Sequence, residues 1–544
     1  MGKWKSLLKL KPFLKKYKLR LIVGIIGMIL SSVLAVPVPY LIGQLLDKVL
    51  MGNKSYHDLY LYVGVIAALY LFDYGVSLIS KNLFARINNS FVNDIRYYVM
   101  GKVMDLPMSY LSSTEKGYVQ GRISECGSVG NIFSPMIVSM FISIISALFA
   151  ATMMFAINYK LALMVLALTP VFFFSSKAST KVFMKNTKDM MESSAVLSGE
   201  CFEIMNGIED IKVLGGKEKH LSKFQAKISE LVNYSVKQSK SMILFERNIS
   251  LINNTGALLI LLISGMMILK GQFTVGLYTS FSLYSVEIFA SIQGIATFGT
   301  VLTPIFLSIE RIFELLDMKD ENSGKNKILD SMIETIEFKQ VGFRYRDNLP
   351  DVFREISFHL QKGDRVLLKG ENGSGKTTLI KLLLGLYQPT SGTIAVNELD
   401  TADVNCDSLR RRIGIVSQNI FLFRGTVLDN ILYGQNEKDR QDVQNLIDNL
   451  SLQNYIGRLA RGLDTEISQN TSGVSGGQAQ IIAFIRALIS NKDVIILDEP
   501  ISNVDAETRN LILHILKEKK YNGILIVISH QTEGMEFLSK VIEI

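Results

Sequence analysis

The stretch "DRVLLKGENGSGKTTLIKLLLGLY" (364–387) decides how the second half of this chain folds. Val366, Leu367 and Leu368 read as a buried strand, a glycine-rich turn follows, and the apolar spacing from Lys376 onward is that of a helix. Strand, turn and helix in that order are the setting in which the pattern G-x-x-x-x-G-K-[ST] holds phosphate. Backbone N–H groups of Gly370, Glu371, Asn372, Gly373, Ser374 and Gly375 are expected to turn toward the anion. The helix start adds the positive end of its dipole. Lys376 then reaches the β- and γ-phosphates of a nucleoside triphosphate, Thr377 places its hydroxyl on Mg²⁺, and Thr378 closes the loop.

"DVIILDEP" (493–500) supplies the other half of such a site. Four aliphatics in a row make a strand buried on both faces, and Asp498 at its carboxyl end belongs beside the metal. Glu499 follows directly, where a general base for an attacking water is needed. His530 ends a further aliphatic strand, "GILIVISH" (523–530), and Gln418 ends "RRIGIVSQ" (411–418). Strand ends in doubly wound sheets meet the ligand crevice. His530 is therefore a candidate for holding the γ-phosphate, and Gln418 for approaching the metal and the lytic water.

About a hundred residues beyond the first loop stands a second glycine-rich one, "TSGVSGGQAQ" (471–480). A single cradle is enough for one triphosphate, so the second loop needs another explanation.

The first half of the chain is of a different kind. The 544 residues are 48% hydrophobic with a mean hydropathy of +0.26, and the excess lies before residue 307. Apolar runs near 21–46, 59–80, 132–157, 159–176, 248–269 and 277–307 are long enough to cross a bilayer as helices. The connections alternate: 47–58, 158–160 and 270–276 are brief, whereas 81–131 and 177–247 are long and basic. The positive-inside rule puts the N-terminus, both long loops and the C-terminal domain in the cytoplasm. The long loops keep a helical period, broken at "YLSSTEKG" (110–117) and "NGIEDIKVLGG" (206–216). Twenty helical residues beyond the membrane extend about 30 Å. The basic start, "MGKWKSLLKLKPFLKKYKLR", has no cleavage site and reads as an interfacial helix with Trp4, Leu7, Leu8, Leu10 and Phe13 toward lipid.

A net charge of +8 fits basic cytoplasmic loops. No basic stripe interleaved with aromatics is present, so nucleic acid is not an expected partner. Cys126, Cys201 and Cys406 have no metal-like spacing and imply no disulfide framework. Asp73, Glu246 and Glu287 are the acidic residues in or beside the spans, and intramembrane carboxylates are functional candidates.

Tyr345, the phosphate loop, Gln418, "VSGGQ", "LDEP", "SNVD" and His530 occur in an order that resembles the nucleotide-binding domain of an ATP-binding cassette (ABC) protein. "LFRGTVLDNILYG" (422–434) and "SIERIFELLD" (308–317) are similar to the exporter branch. With six spans fused ahead of the cassette, the whole chain looks like a type IV exporter half-transporter. The implied fold is a six-helix transmembrane domain with long cytoplasmic helical extensions (1–317), a linker (318–333) and an α/β P-loop ABC ATPase domain (334–544). The resemblance makes Tyr345 the aromatic stacked on adenine and Gln418 the lever between metal and membrane domain. Ser475, Gly476, Gly477 and Gln478 match the signature, and Asp505 the D-loop. It implies ATP and Mg²⁺ as cofactors, catalytic roles for Glu499 and His530, and metal contacts from Thr377, Gln418 and Asp498. It also answers the question of the second loop. The signature is similar to loops that cap ATP on a second cassette, so a dimer is implied, with the 110–117 and 206–216 tips passing its motion to the spans.

Several positions depart from the family pattern. Val474 replaces a usual Leu, Ala479 and Ile481 stand where basic or polar residues are common, Gln469 where Glu is common, and the D-loop reads "SNVD". The cassette stops at "KVIEI" (540–544), earlier than such domains usually run. The expected protein is an ATP-hydrolysing exporter of peptide, lipid or lipophilic small molecule. It sits multi-pass in a cytoplasmic membrane as a homodimer, with one half of a heterodimer or an ATP-gated channel or regulator as alternatives. The transported substrate is not legible.

Overall fold

The structure, a computed structural model, describes residues 8–544 apart from 115, 372, 436, 469–473, 503, 519–520 and 531–532. Side chains at 53, 116, 168–169, 172–173, 175–180, 293, 295–301 and 303 also lie outside the described set. Two compact units divide the chain: Met1–Met104 with Glu115–Met318, and Asp105–Thr114 with Lys319–Ile544.

The first unit is helical. Lys18–Ala35 continues through Pro37–Gln44 into a π-helical segment, Leu45–Asn53. Helices Tyr56–Asp105, Tyr159–Asn206, Lys217–Leu269 and Val275–Leu316 run 50, 48, 53 and 42 residues. At ~1.5 Å per residue each is roughly twice the ~30 Å of a hydrocarbon core or more, so each continues well beyond a bilayer. Among the described residues, five helical stretches are long and apolar enough to cross a membrane: Lys11–Gly52, Tyr56–Asp105, Gly117–Ile157, Lys217–Leu269 and Val275–Ile292. The sixth expected run, 159–176, lies in Tyr159–Asn206, where several side chains are outside the described set.

Local chemistry explains the turns. Pro135–Ile157 ends at Asn158, whose side-chain oxygen accepts from the N–H groups of Lys160 and Leu161 at 3.0 and 3.1 Å and so starts the next helix. A single residue thus makes the tight hairpin. The two remaining short connections meet where Asp47 accepts from the Gly276 N–H at 2.7 Å and from the Thr274 hydroxyl, tying residue 47 to the start of the last long helix. Gly43 and Gly276 meet there backbone to backbone, and a β-carbon on Gly276 would collide with the Gly43 carbonyl. The two sequence breaks are short helices, Met108–Ser113 and Ile208–Val213.

The basic N-terminal segment differs in part from the expected lipid-facing helix. Leu8 is exposed, but Leu10 is only 2% exposed and Phe13 packs edge-on to Tyr98 at 5.2 Å. Protein carboxylates capture its charges: Lys9 pairs with Asp317 at 2.7 Å and Lys16 with Asp94 at 3.0 Å, with the Tyr17 hydroxyl on Asp94 at 2.6 Å. Trp4 and Leu7 lie outside the described residues.

The second unit contains eleven strands among its described residues: β1 Thr335–Phe343, β2 Phe353–Gln361, β3 Arg365–Lys369, β4 Ser391–Val396, β5 Leu399–Asp400, β6 Ile413–Val416, β7 Gly425–Thr426, β8 Glu466–Ile467, β9 Val494–Asp498, β10 Ile524–Ile528 and β11 Lys540–Glu543. β1, β2, β4 and β5 form an antiparallel sheet, and a parallel sheet runs in the order β11-β3-β10-β9-β6. The aliphatic runs are consecutive because this sheet is covered on both faces. Ile495, Leu497, Leu525, Val527 and Leu367 face a helical lobe built on Val427–Ile431, Arg440–Asn449 and Gly476–Ile489. Their neighbours Val494, Ile496, Ile524, Ile526, Val366 and Leu368 face the helix Lys376–Leu383 and the antiparallel sheet.

The expected linker packs onto this unit. Leu329 and Ile333 are buried in its second core, and Glu321 makes a bidentate pair with Arg410 at 2.7 and 2.9 Å. The first arm tip belongs to the same unit, with the Glu321 N–H donating to the Asp105 carbonyl at 2.8 Å.

Candidate nucleotide site

The parallel sheet brings the expected residues to one edge. β3 ends at Lys369 and opens into the loop of Gly370, Glu371, Gly373, Ser374 and Gly375, while Asn372 lies outside the described residues. Gly375 sits at φ +97°, and a β-carbon there would stand 2.7 Å from Val352 and Phe353. Glycine is what this turn requires. Lys376 is 7% exposed, and its ammonium donates to the Gly370 and Glu371 carbonyls at 2.8 and 2.7 Å. Ser374 Oγ is buried without a hydrogen-bond partner among the described residues. An inward hydroxyl, an ammonium crossing the loop and a helix start suit a polyphosphate.

The Thr377 hydroxyl donates to Asp498 Oδ2 at 3.1 Å. A hydroxyl and a carboxylate side by side form the hard-oxygen pair that Mg²⁺ takes. Asp498 is 3% exposed, and burial raises its pKa against the pull of the Thr377 hydroxyl and the Lys376 charge. Val416 pairs with Leu497, so Gln418 emerges two residues later, just past the row that holds Asp498. It is exposed there.

Glu499 leaves the strand in a left-handed conformation, φ +53°, with its N–H donating to the Ile528 carbonyl at 3.0 Å. Such a φ is uncommon for a residue other than glycine and re-aims the side chain. His530 Nε2 lies 3.2 Å from Glu499 Oε1. Burial raises the Glu499 pKa and the Asp498 charge adds to the rise, while His530 and Lys376 oppose it. A buried carboxylate beside an imidazole, on strands that converge on a phosphate loop, can accept a proton from water.

Tyr345 reaches the same loop from β1. Its hydroxyl is 2.9 Å from Thr378 Oγ1, and Phe343 and Tyr387 meet its ring edge-on at 4.9 and 5.3 Å. Tyr387 was not singled out in the sequence. Its signal was an aromatic just past the loop helix, in "GLYQP", which reads equally well as packing.

The second glycine-rich loop stands apart. Ser475 caps the helix Gly476–Ile489: its hydroxyl accepts from the Gln478 N–H at 3.3 Å, and Gln478 Oε1 accepts from the Ser475 N–H at 2.8 Å. Gly477 lies against Asp505, which accepts from the N–H and hydroxyl of Thr508, both at 2.9 Å. Among the described residues no hydrogen bond joins 474–478 to 370–378. The departures Ala479 and Ile481 are 4% and 1% exposed, part of the helical lobe's core. Gln469 lies outside the described residues.

Comparison with known proteins agrees with this layout. The family described as "ABC transporter transmembrane region" matches residues 21–292, and "ABC transporter" matches 353–502. The chain belongs to the ABC transporter family and is an ATPase-coupled exporter with both domains fused in one polypeptide. It is similar to the ATP-dependent lipid A-core flippase of Vibrio vulnificus, 25% identical over 99% of this chain and 93% of that one. It is also similar to an uncharacterized ABC transporter ATP-binding protein, YfiC, of Bacillus subtilis, 26% identical over 99% and 89%. A bacterial Atm1-family ABC exporter solved with ATP bound shares the fold, with a TM-score of 0.87 and 20% identity over 97% of this chain and 94% of that one.

Proposed function

We propose that two copies of this chain work together in a cytoplasmic membrane, each completing the other's nucleotide site. The observation that carries this reading is the signature loop. Ser475 is exposed and caps its own helix, and its described hydrogen bonds, to Gln478 and Ala479, all stay within that helix. Its hydroxyl and the Gly477 N–H are then free to cap the γ-phosphate on a partner copy. On this reading residues 1–317 form the membrane domain, 318–333 a tether and 334–544 the cassette, with the N-terminus and cassette on the cytoplasmic side.

Lys376 and the N–H groups of 370–378 bind the β- and γ-phosphates, and Tyr345 stacks on adenine. Thr377, Gln418 and Asp498 would hold Mg²⁺, which supplies positive charge to the phosphate oxygens. Water attacks the γ-phosphorus as Glu499 takes its proton, the bond from the γ-phosphorus to the β-phosphate oxygen breaks so that ADP and phosphate leave, and His530 orients the γ-phosphate and Glu499 together. Asp505 steadies the signature through Gly477. ATP binding closes the pair and hydrolysis reopens it, so the spans alternate between inward- and outward-facing forms. The cargo is a lipid, a peptide or a lipophilic small molecule. The relatives named as lipid A-core flippases support a lipid.

Mixing two defective chains tests the shared site. Lys376→Ala and Ser475→Arg each spoil both sites of a homodimer, but a mixed pair keeps one site intact. The mixture should trap about one ATP per mixed pair in lipid nanodiscs where neither variant alone traps any. No recovery on mixing would leave the two loops acting within one chain.

A further inference from the structure

Resting on the exporter reading, we propose that the membrane unit contains a binding site for an amphipathic cation, with Asp73 and Glu287 holding its positive head.

Four helices turn small and polar side chains toward one cavity of about 310 Å³. Ser31 comes from Lys18–Ala35, Asp73 and Ser77 from Tyr56–Asp105, Ser146 from Pro135–Ile157, and Glu287 from Val275–Leu316. Asp73, Ser77 and Lys81 follow one another at four-residue spacing, so they share a helix face. Lys81 therefore stands about 12 Å along the axis from Asp73. A second cavity of about 220 Å³ shares Asp73 and Ala35 with the first but is otherwise apolar, lined by Leu34, Val38, Leu69 and Leu283 among others. The two spaces adjoin at Asp73 and Ala35, one polar and one mostly apolar, and the polar one is on the scale of drug-sized pockets (~300–1,000 Å³).

The charge pattern selects the sign of the head. Asp73 accepts from the Ser31 hydroxyl, and Glu287 shares its cavity lining with the hydroxyls of Ser143, Ser146 and Ser291. Neither carboxylate forms a salt bridge among the described residues. A hydroxyl carries no counter-charge, and the single Lys81 ammonium on this lining leaves two ionised carboxylates one positive charge short. A cationic head between them supplies it. The apolar body then lies along Leu34, Val38 and Leu283, and Lys81 repels the cation from the far end of the polar cavity.

Equilibrium binding of tetraphenylphosphonium and of tetraphenylborate to the full-length protein in nanodiscs tests this. The two ions match closely in shape and differ in sign. The phosphonium should bind at least tenfold more tightly. Asp73→Asn and Glu287→Gln should each weaken it about tenfold, and Lys81→Gln should strengthen it. Equal affinity for both ions, a preference for the borate, or phosphonium affinity untouched by all three substitutions would overturn the proposal. Should either carboxylate variant fail to fold, the direction of the Lys81→Gln change still decides. Binding is read without nucleotide and repeated in Glu499→Gln. Lost phosphonium binding with ATP hydrolysis intact would therefore refute the cation site alone. Binding retained while the unmutated protein hydrolyses no ATP would refute the exporter reading alone.

Discussion

Glu499 combines a left-handed backbone, a buried carboxylate and an imidazole 3.2 Å away. Removing its charge in Glu499→Gln leaves the phosphate loop untouched. ATP should still bind, with turnover reduced about 10²–10⁴-fold, the usual worth of a general base. Wild-type steady-state hydrolysis in that variant would remove the residue from this role. The pH dependence follows from the direction of its shift. Only ionised Glu499 accepts a proton, and burial holds its pKa above the ordinary glutamate value of ~4.3. Hydrolysis should therefore be full above that raised pKa and fall as pH drops through it. His530 pulls the pKa down, so His530→Ala should move the acid limb to still higher pH in whatever activity remains. At this scale the sequence was most legible, because "GENGSGKTT" and "LDEP" place reactive groups by spacing alone. The twist of Glu499 was not legible: its φ of +53° goes with a hydrogen bond to the Ile528 carbonyl, on a strand 29 residues away in sequence.

Elements show where family pattern and local packing part. Ile481 occupies a position at which basic or polar residues are common, yet its helix turns it into the lobe's core, which also contains Val443, Phe484 and Ile485. Ile481→Arg should therefore destabilise the cassette by about 3 kcal/mol or more, since it leaves a guanidinium buried without a partner. A thermal midpoint at or above wild type would show that the helix can rotate this side chain outward. Helical period announced the long arms, and "NYK" announced a hairpin whose cap proves to be Asn158. The N-terminal stripe misled because amphipathicity states only that one face is apolar. Whether lipid or protein covers that face depends on Asp94 and Asp317, which lie far away in the sequence.

Across the whole molecule, the contrast between an apolar first half and an α/β second half was plain from composition. The assignment of Asp105–Thr114 to the second unit was not, because it rests on contacts between residues far apart in sequence, such as the hydrogen bond from Glu321 to Asp105. Arg410→Ala should loosen the 319–333 segment by leaving the Glu321 carboxylate without its bidentate partner. The expected result is a cassette melting several degrees lower, and an unchanged midpoint would mean that Leu329 and Ile333 suffice to hold the segment. The parallel sheet has a further consequence. β10 lies between β3 and β9 and is covered on both sides. Its amides can exchange with deuterated solvent only when the cassette opens globally. Leu525 to Ile528 should be the last to take up label, which puts His530 at the end of the stretch slowest to melt.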